Sequence, residues 1–197
     1  MQTLYENGNA LLLKSNVFNN EQIYRHFHGS SLGDDDFWIS GLYHDLGGLS
    51  YQLEFGRNTT WLGTKGLNYR YAGRDHIAQG WTAPTKKLTR LLCLALKDQK
   101  WTLNHLLVNQ YRQGQSLNMH KDDEPELIGP IVSLSIGDTA TFDYTAGQTD
   151  LYDGDLLIGN REFFNQFPHS VSPTHRGRIR YNLTWRTIKN ETRFKES

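Results

Sequence analysis

The chain has 197 residues, with 21 lysines and arginines against 21 aspartates and glutamates and a single cysteine, Cys93. That length suits one domain with a sizeable core, and one thiol excludes an internal disulfide framework or a cysteine-based zinc cluster. No apolar run approaches the roughly 20 residues that cross a bilayer, and the opening Met1–Asn7 lacks the order of a signal peptide, so a soluble intracellular protein, cytoplasmic or nuclear and free of membranes, is expected.

Charge is segregated along the chain: residues 57–112 carry 10 basic and 2 acidic side chains, whereas 119–155 carry 1 and 9. Near the start, Asn20 can cap a short helix over 21–27, with Gly29 as its stop. Residues 57–83 interleave Arg57, Lys65, Arg70 and Arg74 with Trp61, Tyr69, Tyr71 and Trp81. Such a segment offers phosphate neutralisation and flat faces for bases; on this feature alone, a solvated basic surface with scattered core aromatics is the favoured reading. Trp81 is expected in the core. From Pro84 to about Lys100, Leu88, Leu91, Leu92, Ala95 and Leu96 recur at helical spacing.

Beyond the helix the period changes. Residues 103–111, 131–136, 140–144, 155–158 and 180–185 read as short strands, and 163–171 as sheet or its rim. Gly129-Pro130, Gly137-Asp138, Asp153-Gly154 and Arg176-Gly177 supply turns. Short strands without intervening helices predict an antiparallel sandwich or barrel, with the N-terminal half as helices and loops packed on it. No repeat or linker divides the chain, so 1–197 is expected to form a single domain.

His120-Lys121-Asp122 can aim an imidazole and a carboxylate to one side of an extended segment. A third ligand would come from His169, at the edge of an aromatic stretch, rather than from His175 in a turn-like Pro173–Gly177. Two histidines and one carboxylate with open positions form the facial triad of non-haem Fe(II) oxygenases, although for a lone His-x-Asp pair chance is the better explanation. Arg180, Asn182 and Arg186 share one face of the last strand. Turned inward, they would need an anion such as a dicarboxylate; turned outward, they would be a basic edge.

Taken together, these residues resemble the AlkB family of Fe(II)- and 2-oxoglutarate-dependent dioxygenases, which oxidatively dealkylate nucleobases. The likeness runs from about Thr59 to Arg186. It rests on Tyr69-Arg70-Tyr71-Ala72-Gly73, Asn109-Gln110-Tyr111, His120–Glu124, Pro130–Ser135, Gly154-Asp155, His169 and Arg180–Arg186, in the family's order.

The resemblance implies a mainly β, α+β architecture: a double-stranded β-helix, or jelly roll, over 103–186, with N-terminal helices and a nucleotide-recognition lid over 57–83. It makes His120, Asp122 and His169 the ligands of Fe(II). Arg180, with Asn109 and Tyr111, would hold the distal carboxylate of the co-substrate 2-oxoglutarate, with Arg186 and Asn182 near the carboxylate that chelates iron. Tyr69 and Tyr71 would contact the extruded base or its phosphate, and Glu124 would lie beside the target base.

The implied reaction uses O2 to demethylate bases such as 1-methyladenine or 3-methylcytosine in DNA or RNA, as in DNA repair, releasing an aldehyde, succinate and CO2. The brief 145–150 loop and zero net charge favour single strands, and a monomer is expected. Two other functions fit parts of the pattern: the same chemistry on a protein or lipid-like substrate, or a jelly roll that binds nucleic acid without catalysis.

Overall fold

The computed structural model describes residues 1–16, 42–96 and 102–189; the helix predicted over 21–27 and the end of the one predicted to Lys100 lie outside them. The strands are β1 (Gln2–Asn7), β2 (Ala10–Asn16), β3 (Gln52–Glu54), β4 (Arg57–Gly63), β5 (Asn68–Tyr71) and β6 (Arg74–Ile77), followed by helix α1 (Ala83–Ala95). After it come β7 (His105–Tyr111), β8 (Leu117–His120), β9 (Leu127–Gly137), β10 (Ala140–Tyr144), β11 (Gly147–Leu151) and β12 (Asp155–Gly159). Helix α2 (Arg161–Gln166), β13 (His169–Val171) and β14 (Arg180–Ile188) complete the order.

Eight strands form one sheet in the order β1-β2-β12-β9-β14-β7-β4-β3, four form a second in the order β11-β10-β13-β8, and β5–β6 is a separate hairpin. This is the expected jelly-roll arrangement. None of the described helices is long and apolar enough to cross a membrane.

β14 runs through the large sheet between β7 and β9, and its period of two sorts its side chains. Tyr181, Leu183 and Trp185 join Leu88, Leu92 and Leu96 of α1 in one core cluster, against which Trp81 packs half-buried. Trp185 Nε1 donates to Thr89 Oγ1 at 2.8 Å, so its polar edge is satisfied as its ring is buried. Thr82 caps α1, its hydroxyl accepting the Thr85 N–H while the Thr85 hydroxyl accepts from the Thr82 N–H. The alternate side chains of β14 face the second sheet, where Leu107, Ile131, Phe142, Leu157, Phe164 and Val171 form the other core cluster.

Three expectations are corrected. The N-terminal segment holds no helix over 1–16: β1 and β2 form a hairpin that extends the large sheet through β2 and β12. Gly129-Pro130 is no turn but lies within β9, where the β9–β14 register slips between Arg186 and Ile188; a bulge tolerates a proline because the missing N–H has no ladder partner to lose. Residues 163–166 are helical rather than sheet, because Asn160 Oδ1 accepts the Phe163 N–H at 3.0 Å and caps α2.

Candidate metal centre and anion pocket

His120 closes β8 and His169 opens β13, and the β8–β13 register pairs them directly, leaving their ring centroids 4.3 Å apart. Asp122, just past β8, is tied to α2 by its backbone N–H, which donates to Phe164 O at 3.1 Å. One ligand atom from each of the three side chains lies within 4.8 Å of the others, and no fourth histidine, cysteine or carboxylate joins them among the described residues.

His120 Nδ1 sits 2.9 Å from Asn118 O. A carbonyl can only accept, so Nδ1 carries the proton and Nε2 keeps a free lone pair. Burial lowers the His120 pKa, favouring that neutral, ligating form. Asp122 is buried, which alone would raise its pKa; Arg186, with Nη2 3.1 Å from Oδ1, together with His169, outweighs this and holds the carboxyl far below its ordinary range. Two imidazoles and one carboxylate, without thiolate and with one side left open, suit a divalent iron rather than a structural zinc.

The same cavity continues to Arg180, which is 0% exposed. Its Nη2 donates to Ser135 Oγ at 2.8 Å, but Nε, Nη1 and the neighbouring Tyr111 hydroxyl are buried with no partner among the described residues. The guanidinium lies 5.3 Å from the centre of the Tyr111 ring. Burial lowers the Arg180 pKa, yet arginine remains a cation. An enclosed charge with unmet donors is costly, and a carboxylate would answer it by accepting from the fork. The inward reading of β14 therefore holds, and Arg186 differs from Arg180 in having its own counterion, Asp122.

Asn109 and Asn182 are buried across β7 and β14 and hydrogen-bonded to each other, Nδ2 of Asn109 donating to Oδ1 of Asn182 at 3.1 Å. Arg57, read from sequence as part of a basic surface, is 1% exposed and lines the same cavity. Only the β4–β7 pairing brings it there, and nothing in its local sequence marks it as internal.

Tyr71 and His120 line the cavity, whereas Tyr69 is fully buried behind it and donates its hydroxyl to Glu124 Oε2 at 2.9 Å. Burial pushes the Tyr71 phenol up to about 12, so it stays protonated. Both rings lie within 6 Å of the Arg186 guanidinium, a cation–π arrangement that adds to its enclosure.

Helix α2 supports the triad from beneath: the Phe164 ring lies 5.0 Å from that of His169. A Cβ added at Gly159 would meet Phe164 Cε2 at 2.2 Å. Gly159→Ala is therefore expected to displace that ring and weaken binding of Mn(II) or Co(II) by about ten-fold, as the loss of a support behind a ligand typically does. Metal titration of the folded variant checks this, and unchanged affinity would dismiss the support.

Residues 11–186 match the 2OG-Fe(II) oxygenase superfamily. The chain is 31% identical over 136 residues to the alpha-ketoglutarate-dependent dioxygenase AlkB of Salmonella typhimurium, covering 60% of this chain and 62% of that protein. It is 28% identical over 146 residues to the RNA replication protein of Grapevine virus A, covering 70% of this chain and 8% of that protein. Among solved structures, OsALKBH1 superposes with a TM-score of 0.59 at 20% identity, covering 94% of this chain and 99% of that one. The chain thus spans less than two thirds of the length of either of these two sequence relatives.

Proposed function

The chain belongs to the 2OG-Fe(II) oxygenase superfamily and is AlkB-like, and from that premise we propose that it is a dioxygenase that oxidatively demethylates N-alkylated bases of DNA or RNA. The observation that carries this reading is the unmet donor set of Arg180, with the unpartnered Tyr111 hydroxyl beside it, in the cavity that holds the His120–Asp122–His169 cluster. A metal site beside a buried anion socket is what a reaction coupled to a ketoacid needs.

His120, Asp122 and His169 would hold Fe(II), which when bound supplies activation of O2 coupled to decarboxylation of 2-oxoglutarate. The chain's own residues do the rest. Arg180, with Asn109 and Tyr111, would bind the distal carboxylate and fix the co-substrate's reach, Ser135 holding the guanidinium in place, and Asn182 would lie near the carboxylate that chelates iron. Arg186 keeps Asp122 ionised and immobile. A target base must leave its stack to enter the cavity, and there Tyr71 and the exposed side of His120 would flank it. Glu124, held by the Tyr69 hydroxyl, would accept from an exocyclic amine or balance a cationic lesion such as 1-methyladenine or 3-methylcytosine.

The atoms balance: N–CH3, O2 and 2-oxoglutarate give N–H, formaldehyde, succinate and CO2. One oxygen atom ends in succinate and the other in the hydroxymethyl group, whose C–N bond then breaks.

The absence of excess positive charge supports single strands over an extensively wrapped duplex, and likeness to a viral RNA replication protein supports trying RNA. With matched methylated oligonucleotides, succinate and formaldehyde should appear together, faster from single-stranded than from double-stranded substrate. Faster duplex turnover would reverse the strand preference. Product from peptides alone would move the same chemistry to a protein substrate, and succinate from none of them would leave a nonenzymatic binder.

A further inference from the structure

Three guanidiniums line the cavity: Arg57, Arg180 and Arg186. Arg186 has Asp122, and Arg180 has the anion socket. Arg57 faces no carboxylate among the described residues, although it is as buried as the others. Its Nε donates to Asn109 Oδ1 at 2.6 Å, and its Cζ lies 6.0 Å from the centre of the Tyr111 ring that Arg180 also approaches.

The Asn109 bond starts a chain with one direction. Asn109 Nδ2 donates to Asn182 Oδ1, which also accepts from Thr184 Oγ1 at 2.7 Å, while Asn182 Nδ2 donates to Ser133 Oγ at 2.6 Å. The side chains between are ambivalent: an amide can turn end for end, and a serine or threonine hydroxyl can donate or accept. Two groups are not, the donor-only guanidinium of Arg57 and the acceptor-only Leu134 O, which Asn182 Nδ2 reaches at 3.4 Å, so the chain runs from a fixed donor at Asn109 to a fixed acceptor at Asn182. Reversing Asn109 would place NH2 against a cation, leaving two buried donors unmade at the Arg57 end, and would set oxygen against oxygen at the Asn182 end.

Resting on the proposed co-substrate role of Asn109, we propose that Arg57 is a positioning residue of the 2-oxoglutarate pocket, fixing which end of the Asn109 amide faces the bound ketoacid. It is expected to act through Asn109 rather than by touching the co-substrate.

The test is anaerobic titration of the Fe(II) protein with 2-oxoglutarate, following the metal-to-ligand charge-transfer band, with Mn(II) affinity measured alongside. Arg57→Gln keeps hydrogen-bonding capacity but loses donor-only character, and should weaken 2-oxoglutarate about ten-fold while Mn(II) affinity holds, a split that general loosening would not produce. Arg57→Lys, still a donor-only cation, should recover to within about three-fold of the unaltered protein. In an Asn109→Ala background, Arg57→Gln should add less than about two-fold, because the effect has lost its carrier.

Unchanged affinity in Arg57→Gln, no rescue by lysine, or a full loss persisting without Asn109 would each overturn the proposal. A band that never forms in the unaltered protein would overturn the functional reading itself and the proposal with it.

Discussion

Asp122→Ala is expected to abolish turnover and also to destabilise the metal-free protein. The first effect follows from removing the only carboxylate in the ligand set. The second follows from Arg186, whose Nη2 rests 3.1 Å from Asp122 Oδ1 and whose Nε and Nη1 have no other partner among the described residues. Deleting the carboxylate strands a buried cation, at a cost of about 3–5 kcal/mol. The double variant Asp122→Ala with Arg186→Met should recover most of that stability and none of the activity, since an apolar chain of similar length replaces an unpaired charge. Urea unfolding of the metal-free proteins and succinate release measure the two effects separately. Succinate above background from the single variant would remove Asp122 from the metal site, and unchanged unfolding would show the ion pair to be inert.

Arg180→Met acts in the opposite sense on stability. The co-substrate should bind about a hundred-fold more weakly, as expected for losing a charge-assisted, forked contact. Yet the free protein should be as stable as before or more so, because the native cation lies buried opposite Tyr111 with no carboxylate in ion-pair contact among the described residues, Asp138 favouring its charge only from a distance, and replacing such a charge with an apolar side chain is neutral or favourable. Metal affinity should hold, since Arg180 touches no ligand. Calorimetric titration with 2-oxoglutarate in the presence of Mn(II) reads the first effect and thermal unfolding the second; undiminished 2-oxoglutarate affinity would remove Arg180 from the anion socket.

The two arginines of β14 were readable in sequence because the strand period is local: residues 180, 182 and 186 must share a face whatever surrounds them. What that face meets is not local. Asp122 lies 64 positions before Arg186, and their pairing depends on where the end of β8 meets β14 across the sandwich. Arg57 failed to stand out for the same reason, since a basic residue among aromatics looks alike whether solvated or enclosed until the β4–β7 register is known. His120 and Asp122 could be read as a pair, whereas His169 was preferred to His175 only on neighbouring residue types, and its direct pairing with His120 comes from the fold. The errors at 129–130 and 163–166 arose where a bulge and a side-chain cap outranked the usual meaning of Gly-Pro and of an aromatic run. The β1–β2 hairpin escaped notice because Leu11-Leu12-Leu13 does not alternate.

One amide, alongside the packing of Tyr5 on Phe163 and Phe167, couples that hairpin to the chemistry. Asn160 accepts the backbone N–H of Leu11 through its Oδ1, donates to Asn9 O through its Nδ2, and caps the helix that ends three residues before His169. Trimming the first sixteen residues as a dispensable tail would therefore uncover β12 as a raw sheet margin and unmoor that helix, so a shortened expression product should lose iron before it loses its barrel.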